Sequence, residues 1–179
     1  TFVLVVAAIV LAWRSRRPPE GFRFESGSFR VLTESREPEY FPQISPDGKT
    51  VVYAAANHGN LDLFAYQVEN KQARNLTADH LGLDTEPALS PDGTQIAFYS
   101  ERDGGGLFLY DLRNGQLRKL SSVGRNPAWS PDGTEIVAAS EGIVRPEDRT
   151  TAASELWAFR VDSGARRLVY QGDAVQPAW

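Results

Sequence analysis

The sequence predicts an all-β chain: a partial β-propeller of about three blades, each a four-stranded antiparallel sheet, preceded by an apolar N-terminal helix. Two observations carry this reading. Ser-Pro-Asp-Gly occurs three times, at 45–48, 90–93 and 130–133, always at the same place in a longer unit. The residues around it match column by column, and Pro177-Ala178-Trp179 opens a fourth copy. A repeat of this length with several short strands per unit stacks its neighbours round an axis, because a lone small sheet leaves an apolar face in water.

Each element follows from local chemistry. Pro42-Gln43-Ile44, Pro87-Ala88-Leu89 and Pro127-Ala128-Trp129 lead into the turns as first strands, proline being tolerated at a strand start because it has no amide to donate. In the turns, Pro46, Pro91 and Pro131 preset φ, while Asp47, Asp92 and Asp132 hydrogen-bond the backbone. Gly48, Gly93 and Gly133 take the positive φ that closes the hairpin. Second strands alternate apolar residues at Val51 and Tyr53, Ile96 and Phe98, Ile136 and Ala138. Third strands run Leu63 to Val68, Leu107 to Leu112 and Leu156 to Val161. After turns at 69–71, 113–115 and 162–164, fourth strands end near Leu76, Leu120 and Val169. The predicted blades span 40–78, 85–122 and 125–172, with the next starting at 176.

Before them, residues 18–39 read as a linker plus the last strands of another, partial blade: Phe22 to Phe24, a Ser26-Gly27 turn, and Phe29 to Thr33. Residues 1–17 read as a truncated transmembrane helix or signal anchor with a basic flank. Phe2 to Trp13 is an unbroken apolar run followed by Arg14, Arg16 and Arg17. The run is shorter than the ~20 residues a membrane span needs, which truncation would explain. A secretory signal peptide is the alternative, although no small-x-small cleavage site precedes the arginines. Those arginines alone favour a cytoplasmic C-terminal side. The chain lacks methionine, and both ends read as cut from a longer polypeptide.

Composition narrows the chemistry. A net charge of −4, with cations spread among acidic residues, argues against nucleic-acid binding by this region. Without cysteine there are no disulfides, thiol nucleophiles or cysteine-ligated zinc sites. No Gly-x-Ser-x-Gly elbow occurs. His58 and His80 have no partner at metal-ligand spacing and fall in or beside loops. The Gly104-Gly105-Gly106 run has neither the lysine nor the helix of a phosphate loop and reads as a flexible hairpin. Trp129, Trp157 and Trp179 fill columns that other copies fill with Ile, Leu or Phe, so they read as packing residues. No catalytic residue, metal or cofactor is expected.

One irregularity points to binding. The connection from Ser140 to Glu155 is longer than its counterpart from Ser100 to Gly106 and carries Glu141, Arg145, Glu147, Asp148 and Arg149. Long loops on rigid scaffolds often carry binding function, so this one is the candidate partner-binding loop, with a solvated insertion as the alternative.

The recurring Pro-x-apolar-Ser-Pro-Asp-Gly, followed by apolar alternation and a Leu-Phe/Trp-x-Tyr/Phe strand, resembles the WD-repeat-like propeller units of the bacterial TolB type over about residues 40–179. The resemblance implies a six-bladed ring of which this chain supplies half, and an extracytoplasmic, typically periplasmic, setting. It also implies a non-catalytic interaction or sensor module for a protein, peptide or glycan. With the N-terminal segment as a single-pass anchor in a bacterial inner membrane, such a module would belong to a receptor carrying a cytoplasmic kinase or winged-helix domain. Two alternatives stay open: an accessory propeller of a prolyl-oligopeptidase-like serine hydrolase, and a free periplasmic TolB-like protein.

Overall fold

The computed structural model describes residues 31–33, 35, 37–142, 154–172, 174 and 176–179. The apolar run of 1–17, the strands expected between Phe22 and Phe29, and Arg145, Glu147, Asp148 and Arg149 lie outside the described residues. Leu32 and Thr33, expected to end a strand, lie outside the strands.

From Leu32 onward the chain forms one compact unit of three four-stranded sheets. Blade 1 contains β1 (Glu39–Ile44), β2 (Thr50–Asn57), β3 (Asn60–Gln67) and β4 (Gln72–Asn75). Blade 2 contains β5 (Asp84–Leu89), β6 (Gln95–Ser100), β7 (Gly106–Asp111) and β8 (Leu117–Ser121). Blade 3 contains β9 (Arg125–Trp129), β10 (Glu135–Ala139), β11 (Glu155–Arg160) and β12 (Arg166–Gln171). In every sheet the strands pair in chain order and antiparallel, the meander the sequence predicts.

Equivalent columns meet across the blades, because successive strand residues point to opposite faces. Val52, Ala54, Leu63 and Ala65 of blade 1 pack on Ile96, Phe98, Phe108 and Tyr110 of blade 2. The other face of blade 2, with Ala97, Leu107, Leu109 and Leu120, packs on Ile136, Ala138 and Phe159 of blade 3. Trp129 and Trp157 pack against that second cluster, in keeping with the packing role read from their columns. Leu63, Ile96, Phe98, Leu107, Ile136 and Phe159 have no solvent exposure. Burying a side chain of this size contributes about 1.5–3 kcal/mol, so these two seams join the blades.

The glycine run expected as a flexible hairpin has a defined form. Arg102–Gly104 makes a 3₁₀ turn, and Gly106 begins β7 at φ +138°. A Cβ on Gly106 would lie 2.1 Å from the Ser121 carbonyl oxygen, so only glycine lets β8 approach this closely.

Candidate functional site

The Ser-Pro-Asp-Gly turns are built alike in all three blades. In blade 1 the Ser45 hydroxyl donates to Asp47 Oδ1 at 2.6 Å and accepts from the Thr50 amide at 2.9 Å. Asp47 Oδ1 also accepts from the Lys49 amide at 3.1 Å, and the Gly48 amide donates to the Ser45 carbonyl at 2.8 Å. Ser90 with Asp92 and Ser130 with Asp132 repeat the pattern, again at 2.6 Å. The glycines take φ values of +71°, +70° and +70°, the conformation the turn requires. Hydrogen bonds from the serine hydroxyls, aided by backbone amides, hold all three carboxyls below the usual carboxylate range. Pro46 of the first turn and Ser90 and Pro91 of the second border a cavity.

That cavity, of about 370 Å³, lies where β1, β5 and β9 converge at the turn end. Gln43 and Ile44, Ala88 and Leu89, and Ala128 and Trp129 line it, so all three blades contribute equivalent positions, and Pro46, Pro91 and Pro127 add to the lining. The Trp129 indole N–H donates to the Ala88 carbonyl at 2.9 Å, and the Trp179 indole donates to the Ala128 carbonyl at 3.0 Å. Trp129 thereby ties β9 to β5 of the preceding blade, and Trp179 ties the segment after blade 3 to β9.

Halfway along these strands sits a second repeated feature. Phe41, Glu86 and Asn126, each just before the strand proline, have φ of +53°, +58° and +49°. A left-handed non-glycine residue costs roughly 1–2 kcal/mol. At each site the pairing register with the second strand shifts, so the residue forms a bulge. The bulge at Glu86 is used: its carboxylate accepts from the Asn126 amide at 2.7 Å and from Arg125 Nη1 at 3.3 Å. The Arg125 guanidinium stacks over Tyr99, 3.2 Å from the ring centroid.

The opposite end carries the chain crossovers and most of the buried charge. Asp62, 1% exposed, accepts from the side-chain amides of Asn57 and Asn75 at 2.6 Å and of Asn60 at 3.1 Å. Arg102 Nη2 bonds Asp79 at 3.0 Å and the fully buried Asp84 at 3.1 Å. Burial alone would lower the Arg102 pKa, but hydrogen bonds to the two carboxylates outweigh it and hold it above its ordinary value. The Asp79 carboxyl is correspondingly held low by its bond to Arg102. His80 packs in this crossover with Nδ1 3.5 Å from Asp84 Oδ2, its side chain 21% exposed, whereas His58 occupies the exposed β2–β3 hairpin.

Of the loop proposed for partner binding, Glu141 is described; it is exposed and lies at this crossover end. Among the described residues, no group of three or more His, Cys, Asp or Glu side chains is arranged to hold a metal ion. No helix among them is long and apolar enough to cross a membrane. Sequence reasoning missed the Asp84–Arg102–Asp79 clasp, the Asp62 cage and the Glu86–Arg125 pair.

Residues 22–173 match the family described as TolB beta propeller domain. Dipeptidyl-peptidase 5 of Porphyromonas gingivalis is 30% identical over 142 residues, covering 72% of this chain and 20% of that protein. The Tol-Pal system protein TolB of Francisella tularensis is 28% identical over 94 residues, covering 51% of this chain and 21% of that protein. Among solved structures, a TolB from Agrobacterium tumefaciens superposes with a TM-score of 0.69 at 22% identity, covering 85% of this chain and 57% of the other. An acylaminoacyl peptidase shares the fold with a TM-score of 0.55 at 14% identity, covering 75% of this chain and 25% of the other. The chain thus spans about a fifth of the length of these two curated relatives. Repeated turns, bulged first strands, stacked meanders and the match over residues 22–173 agree: the chain belongs to the TolB beta propeller domain family.

Proposed function

We propose that this chain is a non-catalytic interaction module: a TolB-type propeller, tethered to a membrane through residues 1–17, that presents an extracytoplasmic surface to a protein, peptide or glycan. The observation that carries this reading is the cavity of about 370 Å³ to which all three blades contribute the last two residues of their first strands, Gln43 and Ile44, Ala88 and Leu89, and Ala128 and Trp129. A preformed concave site lined by rigid backbone suits recognition of an extended ligand. The relatives named TolB support a binding role and an extracytoplasmic setting. The second candidate contact is the charged segment of Glu141, Arg145, Glu147, Asp148 and Arg149, of which Glu141 lies at the crossover end. Blade boundaries at 40–78, 85–122 and 125–172 define the module, and a parent with a cytoplasmic kinase or winged-helix domain would make it a sensor.

Three measurements test this. Alkaline phosphatase fused after Trp179 is active if the propeller faces away from the cytoplasm; an inactive fusion of normal abundance rejects that placement. Deleting Arg145 to Ala153 should leave the fold intact and weaken partner capture, and unchanged capture removes the loop from the proposal. Screening the propeller against a peptide array should give ligands whose binding falls on Ala88→Trp, a substitution that fills the cavity.

A second reading has its own support: two dipeptidyl-peptidase 5 sequences match this chain, at 30% identity over 142 residues and 37% over 70. In that reading the propeller selects substrate for a hydrolase domain encoded downstream. Sequencing the gene beyond Trp179 decides it. A Gly-x-Ser-x-Gly elbow after the last blade establishes the peptidase, and a kinase or winged-helix domain before Thr1 establishes the receptor.

A further inference from the structure

The crossover between blades 1 and 2 carries buried side-chain atoms without a hydrogen-bond partner among the described residues: His80 Nδ1, Asp84 Oδ1 and Arg102 Nε. They belong to side chains already in contact. Arg102 Nη2 lies 3.1 Å from Asp84 Oδ2, and His80 Nδ1 lies 3.5 Å from the same oxygen. The Asp84 side chain is fully buried and that of Arg102 is 10% exposed. Thr85 Oγ1 is also buried without a partner, but it projects from the opposite face of β5 and belongs to different surroundings.

Buried polar atoms are almost always satisfied by protein or by fixed water. The chemistry of these three selects the ligand. Arg102 Nε–H can only donate, and the Asp84 carboxylate oxygen can only accept. A cation placed between them would be repelled by the guanidinium, and an anion by the carboxylate. A neutral ligand that donates and accepts at once suits both, and it satisfies His80 Nδ1 whichever ring nitrogen carries the proton. We infer that a single water molecule is bound here, accepting from Arg102 Nε–H, donating to Asp84 Oδ1 and bridging to His80 Nδ1.

This water completes a joint between blades. Arg102 already donates to both Asp79 oxygens, to Asp84 Oδ2 and to the Thr77 carbonyl. Its Nε–H is the buried donor left without a protein partner, and anchoring it fixes the rotation of the guanidinium plane. The crossover from Thr77 to Asp84 is thereby pinned to the 3₁₀ turn of blade 2.

The test uses the unmodified protein. A high-resolution crystal structure grown with rubidium chloride should place one non-anomalous solvent peak about 2.7–3.2 Å from Asp84 Oδ1 and Arg102 Nε and within reach of His80 Nδ1. In solution, the Arg102 Hε resonance should show a cross-relaxation peak to water with the sign of a residence time longer than molecular tumbling. An anomalous rubidium peak at the position, direct protein partners for Asp84 Oδ1 and Arg102 Nε, or an Arg102 Hε without contact to long-lived water would each overturn the inference.

Discussion

Replacing Arg102 with alanine tests how the blade 1–blade 2 junction is held. One guanidinium serves two carboxylates with opposite surroundings: the Asp79 side chain is 75% exposed, and that of Asp84 is 0% exposed. Removing one partner of a buried pair leaves an uncompensated charge and costs about 3–5 kcal/mol, whereas an exposed pair is worth about 0–1 kcal/mol. Arg102→Ala should therefore cost about 3–5 kcal/mol, with nearly all of it arising at Asp84. For a domain of this size that corresponds to a fall in Tm of about 6–20 °C. Asp79→Asn should cost no more than about 1 kcal/mol. Equilibrium urea unfolding of the purified protein, followed by circular dichroism, measures both. Equal losses for the two variants, or an Arg102→Ala loss below about 1 kcal/mol, would refute the claim that the buried Asp84, not the exposed Asp79, carries the stabilising effect of Arg102.

Three further outcomes are expected. Gly106→Ala should cost more than the ~1–2 kcal/mol of the backbone conformation alone, because β8 must retreat from a Cβ otherwise 2.1 Å from the Ser121 oxygen; urea titration and loss of β7–β8 amide protection read this out. Trp129→Phe keeps an aromatic six-membered ring but loses the indole bond to Ala88, for a cost of about 1 kcal/mol in thermal unfolding, and a loss above about 3 kcal/mol would mean that packing dominates the column. Acid should weaken the fold. Asp47, Asp92 and Asp132 lie below their ordinary value of 3.8, chiefly through bonds from serine hydroxyls. Asp111 and Asp162, bonded to Arg113 and Arg160, are lowered to about 2. On descent below the unfolded value the unfolded chain takes up these protons first. The stability that the carboxylates lend is thus complete above about pH 5 and lost as pH falls through their folded values. Asp92→Asn should flatten this acid limb in a stability–pH series, and an unchanged limb would remove the turn carboxylates as its cause.

The parts of this architecture that are written locally were legible in the residues. A turn needs its own Pro, Asp and Gly, so Ser45 to Gly48 announces a hairpin without reference to anything distant. Apolar alternation at Val51 and Tyr53 likewise states which residues share a face. The role of Ser45, Ser90 and Ser130 was harder to see, since each hydroxyl accepts from an amide five residues on, across the closed turn. Harder still were the bulges. Phe41, Glu86 and Asn126 share a left-handed backbone but no side-chain type, so nothing in that column marks the conformation. The clasp joins Asp79 and Asp84 to Arg102, 23 and 18 residues away, and only the docking of two blades brings them together. The cavity follows the same logic, being formed by positions that are unremarkable within one copy and convergent across three.

The indole-to-carbonyl bonds give the tandem array a polarity that its near-identical units conceal. Ile44 and Leu89 occupy the column in the earlier copies, and neither side chain can donate; Trp129 and Trp179 can, and each reaches backward along the chain. Copies are consequently not interchangeable parts. A chimera that exchanged the second and third units would move the donor to the wrong seam while leaving every turn and every apolar stripe intact. With the other tryptophans replaced, Trp129 would serve as an optical probe of the seam between blades 2 and 3.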